Sequence, residues 1–195
     1  DDEPLDMRVP ALSLSGTIVF PFALTPLVLN DPSAIALTEA ASASDRFLAL
    51  FPEIPEDERG ALKQAGASEA RMERMILNGK RTTRIGVLAR IVKLLKFPDN
   101  TVRTLVRGIS RVEYVKDLSD SGQPALSHVR RLVEKPDDSL ETAAMVRNAT
   151  KQFQEIVSFA PNFPEELKIA ILNLTDNVRI VDLITDTLNI SYEEK

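Results

Sequence analysis

Two periods divide the chain. From Arg8 to about Lys135 apolar residues come in short β-prone runs, whereas after Pro136 they recur at helical spacing. Val9, Ala11 and Leu14, then Thr17–Phe20, then Leu27–Leu29, predict short strands punctuated by Gly16, Pro21 and Pro26. Asp31-Pro32-Ser33 followed by Ile35, Leu37 and a run of Ala and Ser to Ser44 predicts a short helix, capped by Asp31 with Pro32 in its first turn. The run Arg46–Phe51, apolar from Phe47 onward, predicts a buried strand. Between Pro52 and Arg81 the sequence turns polar. Leu62, Ala65, Glu69, Met72 and Ile76 there form only a weak helical stripe, interrupted by Gly60 and Gly66, and the segment reads as an insertion. The clearest signal is a hairpin: Thr83–Phe97 and Thr101–Lys116 flank Pro98-Asp99-Asn100, where Pro presets the turn dihedral and Asp or Asn tolerates a left-handed one. A further strand covers Ala125 to Glu134 and ends at Pro136.

Beyond that proline, Asp138 and Glu141 stand in capping-box spacing. Leu140, Ala143, Val146, Ala149, Phe153, Ile156, Val157 and Ala160 then mark one face of a helix. A second helix is predicted from Pro164-Glu165-Glu166 to Leu174 and a third from Asp176 to Leu188, giving a small antiparallel bundle. Ser191 and Glu194 repeat the capping spacing with only Lys195 behind them, so the natural chain is expected to continue, although chance also makes such patterns in acidic sequences. The fold class read from these periods is α+β: a β-rich lobe over 1–135 with about six strands and a short helix, 52–81 being an insertion, then a helical lobe over 136–195.

Composition narrows the chemistry. With 195 residues, 44% of them hydrophobic and 27% charged, the chain can bury a core and is neither disordered nor fibrous. It has no Cys and one His, His128, which excludes a disulfide framework, a thiol nucleophile and cysteine zinc sites, and leaves one imidazole for any triad or metal site. The longest apolar stretch, Ile18–Leu29, is broken by Pro21 and Pro26 and falls short of the ~20 residues of a membrane span. The N-terminus is acidic where a signal peptide would be basic, so a cytoplasmic location is expected. Within a net charge of −5, residues 81–116 carry 9 basic and 2 acidic groups. Arg84, Arg90, Lys93, Lys96, Arg103, Arg107 and Arg111 are therefore candidates for a phosphate-binding face. The plainer reading is that strands turn Arg and Lys to solvent, since few aromatic residues interleave for base stacking.

No phosphate loop is present, because Gly60 and Gly66 are spaced one residue too far and Ala67 follows; dinucleotide-binding glycine spacing is absent too. His128 is a general base or an ordinary strand histidine, and no nucleophile motif accompanies it. The pairs Asp137-Asp138 and Glu165-Glu166 sit where helix starts explain them. No catalytic or metal site is expected. What remains is a surface for binding chains. Phe20 and Phe22, and Phe159 and Phe163, lie in proline-broken segments, as plugs beneath the fold or as exposed apolar contacts. Met72 and Met75 are adaptable residues suited to core filling or to a promiscuous contact.

Specific motifs then appear in order. Pro10-Ala11-Leu12-Ser13-Leu14 with Val19-Phe20-Pro21, the run Ile85-Gly86-Val87-Leu88-Ala89-Arg90-Ile91, the turn Pro98–Val102, and Leu105-Val106-Arg107-Gly108-Ile109-Ser110-Arg111 resemble the N-terminal domain of the Lon family of ATP-dependent proteases. The tail, Ile180–Ile184 and Leu188–Lys195, is similar to that family's entry into a long linker helix. Departures are Ser13 and Ser15 in place of Arg and Asp, Phe22 where a small residue is common, Asn100 at the turn glycine, and a longer 52–81 segment. The resemblance implies a PUA-like β-rich lobe joined to a helical lobe. It also implies recognition of unfolded or damaged proteins, support of a homohexamer in the parent, and a monomer or weak dimer for this domain alone. Its ATP, Mg and Ser-Lys protease dyad would belong to downstream modules, so no cofactor is expected in this chain. The rival expectation is a stand-alone LON-domain protein that binds nucleic acid or polyphosphate through residues 81–116.

Overall fold

The computed structural model describes residues 5–54, 74–118, 126–133, 137, 139–159, 164, 169, 171, 173–192, 194 and 195. The chain divides into two compact units, Asp1–Val133 and Glu134–Lys195. The first is a β-rich sheet with one helix; the second carries helices.

In the first unit, β1 (Asp6–Leu14), β2 (Leu24–Leu29), α1 (Pro32–Ala43), β3 (Phe47–Pro52), β4 (Arg74–Leu77), β5 (Lys80–Thr83), β6 (Ile85–Lys96), β7 (Val102–Asp117) and β8 (Leu126–Arg131) follow in order. The main sheet runs β2-β7-β6-β3-β1-β8, and a further β7–β8 pairing closes the last five strands into a ring. Only β1 and β3 are parallel. The 16-residue β7 makes closure possible: one of its edges pairs with β6 along Val102–Glu113, while the other takes β2 along Val102–Arg107 and β8 along Val112–Asp117.

The apolar run of β3 is continuous because both of its faces are covered. Leu48 and Leu50 enter a cluster with Leu12, Leu27, Val87 and Val106, against which Ala34 and Leu37 of α1 pack. Ala49 and Phe51 enter a second cluster with Val9, Val112 and Val129. Phe51 is fully buried and meets Tyr114 edge to face at 5.8 Å; burial of a side chain this size stabilises by about 1.5–3 kcal/mol. Helix α1 begins as its sequence dictates, with the Asp31 carboxylate accepting the Ala34 N–H at 2.9 Å and Pro32 in the first turn. The β6–β7 turn also follows its sequence: Asn100 takes φ 61°, and Asp99 accepts both the N–H and the hydroxyl of Thr101.

Three expectations need correction. Thr17–Phe20 is not a strand; Val19 and Phe20 are buried in irregular chain that turns at Pro21-Phe22. That turn docks on β7, where the Phe22 N–H donates to the Gly108 carbonyl at 3.0 Å and the Gly108 N–H to the Ala23 carbonyl at 2.9 Å. A Cβ at Gly108 would overlap the Phe20 carbonyl oxygen, so this close approach requires glycine. Second, 74–83 is a hairpin of β4 and β5 and not part of a polar insertion, which raises the strand number to eight among the described residues. Asn78 and Gly79, at φ 52° and 75°, form its turn.

In the second unit, α2 (Leu140–Ser158) and α3 (Asn177–Thr187) are described. The third correction lies here: Ser139, not Asp138, caps α2, and its Oγ accepts the Thr142 N–H at 3.2 Å. Asp138 lies outside the described residues, as does most of the helix expected over Pro164–Leu174. Val146, Phe153 and Val157 of α2 pack with Ile171 and with Ile180 and Ile184 of α3. Ser191 and Glu194 close their capping box in both directions, Ser191 N–H to Glu194 Oε2 at 2.9 Å and Glu194 N–H to Ser191 Oγ at 3.3 Å.

Candidate functional site

Among the described residues, strand β2 pairs through one edge only. Its residues alternate, with Leu27 and Leu29 buried and Leu24, Pro26 and Val28 exposed. Register carries this outward row across two more strands, because directly opposed residues share a face. Leu24 stands by Arg107 and Arg107 by Arg90; Pro26 by Leu105 and Leu105 by Lys93; Val28 by Arg103 and Arg103 by Leu95. The result is an outward face three strands wide on which apolar and basic side chains interleave. Val28 is 65% exposed, Leu24 56% and Leu95 45%. The Arg103 guanidinium lies 4.5 Å over the Phe97 ring, which fixes one cation beside the apolar row.

Phe22 adjoins this row, two residues before Leu24, and is 48% exposed. The Ala23 N–H donates to the Phe20 carbonyl at 3.2 Å, with Pro21 and Phe22 as the central residues of the turn. Phe22 takes φ 64°, a position that normally goes to glycine. An aromatic held in left-handed backbone and half exposed is local strain of the kind found at binding sites.

The other candidates are scattered. Phe20 is buried, a plug beneath the turn and no exposed contact. Met75 is half-buried against the second core cluster. Met72 and Phe163 lie outside the described residues, and Phe159 is highly exposed at the end of α2 in the other unit. Of the seven basic candidates, Arg90, Lys93, Arg103 and Arg107 share the outward face. Lys96 turns away to Glu39 of α1 at 2.7 Å, Arg84 is held by Glu113 at 3.3 Å and by the Tyr114 carbonyl, and Arg111 is half-buried. His128 Nε2 lies 3.3 Å from Asp6 Oδ2, while Arg130 Nε binds the other Asp6 oxygen at 3.1 Å. The Arg130 hydrogen bond chiefly holds the Asp6 carboxyl below its ordinary range, so the trio reads as a β1–β8 clamp. Among the described residues no three His, Asp or Glu side chains gather as a metal set, and no helix is long and apolar enough to cross a membrane.

Sequence reasoning missed the apolar half of the face. The alternation Leu24-Thr25-Pro26-Leu27-Val28-Leu29 was visible, but which half faces solvent depends on the register with β7.

The fold is that of a β-rich domain of the Lon N-terminal type: the structure resembles the N-terminal domain of a Mycobacterium avium complex Lon protease, with a TM-score of 0.55 over 93% of this chain and all of that one, at 21% identity. The chain belongs to the family described as the ATP-dependent protease La (LON) substrate-binding domain, which it matches over residues 8–195. Relatives include the Lon protease of Dictyoglomus thermophilum, 29% identical over 96% of this chain, Lon protease 2 of Herpetosiphon aurantiacus, 30% identical over 93%, and the Lon protease of Escherichia coli, 26% identical over 97%. The chain spans only 20–22% of the length of these relatives.

Proposed function

We propose that this chain is the substrate-recognition domain of a Lon-type ATP-dependent serine protease, acts in the cytoplasm without catalysing a reaction itself, and binds unfolded or damaged polypeptides through the outward face of β2, β7 and β6. The observation that carries the reading is the interleaved face with Phe22 at its edge. A protease that selects misfolded chains needs weak apolar contacts that recur around a ring, since avidity raises an affinity that one patch cannot supply. Support of the parent homohexamer is part of the proposal, and the isolated domain is a monomer or weak dimer. On this reading ATP and Mg act elsewhere in the parent protein, since this chain's sequence lacks the glycine spacing of a phosphate loop.

The rival reading, a nucleic-acid or polyphosphate binder, is weakened by the diversion of Lys96 and Arg84 into ion pairs. Titration of a denatured protein and a DNA duplex at about 50 and 300 mM salt separates them. Substrate recognition predicts binding of the denatured protein that weakens less than about five-fold, while a phosphate binder making several contacts loses orders of magnitude. DNA binding without binding of the denatured protein would overturn the proposal.

A further inference from the structure

Proline has no N–H, so in an antiparallel ladder it occupies a position whose N–H would point away from the partner. Pro26, opposite Leu105, therefore marks the residues of β2 whose backbone groups face the free edge, and alternation adds Leu24 and Val28. The Gly108 N–H bond to the Ala23 carbonyl agrees, since it places odd-numbered positions toward β7. Among the described residues no strand pairs with that free edge. A cleft of about 660 Å³ lies along its C-terminal half, between Leu27–Leu29 and Leu12–Leu14 of β1, within the size range of ligand sites. Three polar side chains of the cleft are engaged within the fold: Ser13 donates to Glu53 at 2.9 Å, Asn78 donates to the Ala11 carbonyl at 3.3 Å, and Asp31 caps α1.

Charge says what would lie there. Arg90 and Arg107 stand directly opposite each other, an arrangement that destabilises a sheet. Among the described residues no carboxylate pairs with Arg90, Lys93 or Arg107. A strand added to β2 would run about 10 Å from β7, two strand spacings, within reach of the arginine side chains and within about one Debye length at 0.1 M salt. We propose, resting on the substrate-recognition reading above, that β2 captures an extended segment of unfolded polypeptide by strand addition, and that it favours segments in which acidic residues alternate with apolar ones. The N–H and C=O groups of Leu24 and Val28 and the Pro26 carbonyl supply sequence-tolerant affinity; Arg103 and Arg107 supply the acidic preference.

The test is fluorescence polarisation of the 195-residue chain with labelled ten-residue peptides: one alternating Val and Glu, one alternating Val and Lys, and the acidic one N-methylated at every second residue, in both phases. The acidic peptide should bind at least about ten-fold more tightly than the basic one at about 50 mM salt, and the N-methylated form whose methyl groups replace the N–H groups facing β2 should lose about ten-fold while the other phase keeps its affinity. Val28→Pro, which removes a free-edge donor and leaves the β7 ladder intact, should weaken the acidic peptide similarly, with unchanged circular dichroism. Arg103→Glu with Arg107→Glu should reverse the charge preference. Should Val28→Pro misfold, the N-methylated peptides against the unaltered chain decide. Equal binding of acidic and basic peptides, or equal binding of the unmethylated peptide and both methylated forms, overturns the inference. If denatured protein still binds in that case, the broader reading stands and only strand addition fails; if nothing binds, both fail.

Discussion

Phe22 and Gly108 are two sides of one contact. The glycine lets the Pro21-Phe22 turn lie against β7, and the turn then holds a large aromatic at φ 64° with 48% of its surface exposed. Neither cost would be tolerated by packing alone, since glycine at Phe22 would relax the backbone. Phe22→Gly should therefore leave the melting temperature unchanged or raised while weakening binding of a denatured protein by about three-fold or more. A fall in stability with unaltered binding would make Phe22 a structural residue. The need for Gly108 was not legible beforehand, because the chain that presses on it is 88 residues away in sequence, at Phe20. His128 was better determined: with no nucleophile motif nearby, an ordinary strand histidine was one of its two readings, and it sits in the Asp6 clamp.

At the scale of elements, local chemistry was legible at several ends whose defining residues are adjacent in sequence. Asp31-Pro32 starts α1, Asp176 caps α3 through the Val178 and Arg179 N–H groups, and Pro98-Asp99-Asn100 turns β6 into β7. The β4–β5 hairpin was missed although Asn78-Gly79 is a strong turn signal, because four-residue strands give too few alternations to outweigh a polar neighbourhood. The start of α2 was misplaced by one residue because the box pairing Asp138 with Glu141 ignored Ser139. Asp137 supports that serine, its carboxylate accepting the Thr142 hydroxyl at 2.6 Å, the Ser139 N–H at 3.0 Å and the Ser139 hydroxyl at 3.1 Å. These bonds, the Thr142 hydroxyl's first, hold the Asp137 carboxyl below its ordinary range. A lowered carboxyl contributes stability that is present above the unfolded Asp value of about 3.9 and is lost as pH falls through the lower folded value. The Thr142 amide resonance should accordingly hold steady from about pH 6 to pH 4 and shift below that, and Asp137→Asn should remove the shift. A transition centred above the ordinary Asp value would contradict the cap.

Over the whole chain, the period change near Pro136 lies close to the division between Val133 and Glu134 into two units. What the periods could not supply was sheet order. The ring closes only because β7 is long enough to serve β2 and β8 on one edge, and a strand's length says nothing about its partners. The outward face inherits this: Arg90, Lys93, Arg103 and Arg107 were legible as a basic island, but their union with Leu24, Pro26 and Val28 follows from register between segments about 80 residues apart. The central claim is that this combined face, and not the basic island alone, receives polypeptide. Its most direct test is the backbone amide spectrum of the chain titrated with an unlabelled denatured protein. The resonances that move or broaden first should be those of Phe22–Thr25, Leu27 and Val28 with Arg103–Arg107 and Arg90–Leu95. Perturbations that leave β2 untouched and gather at Phe159 or along β8 would contradict it.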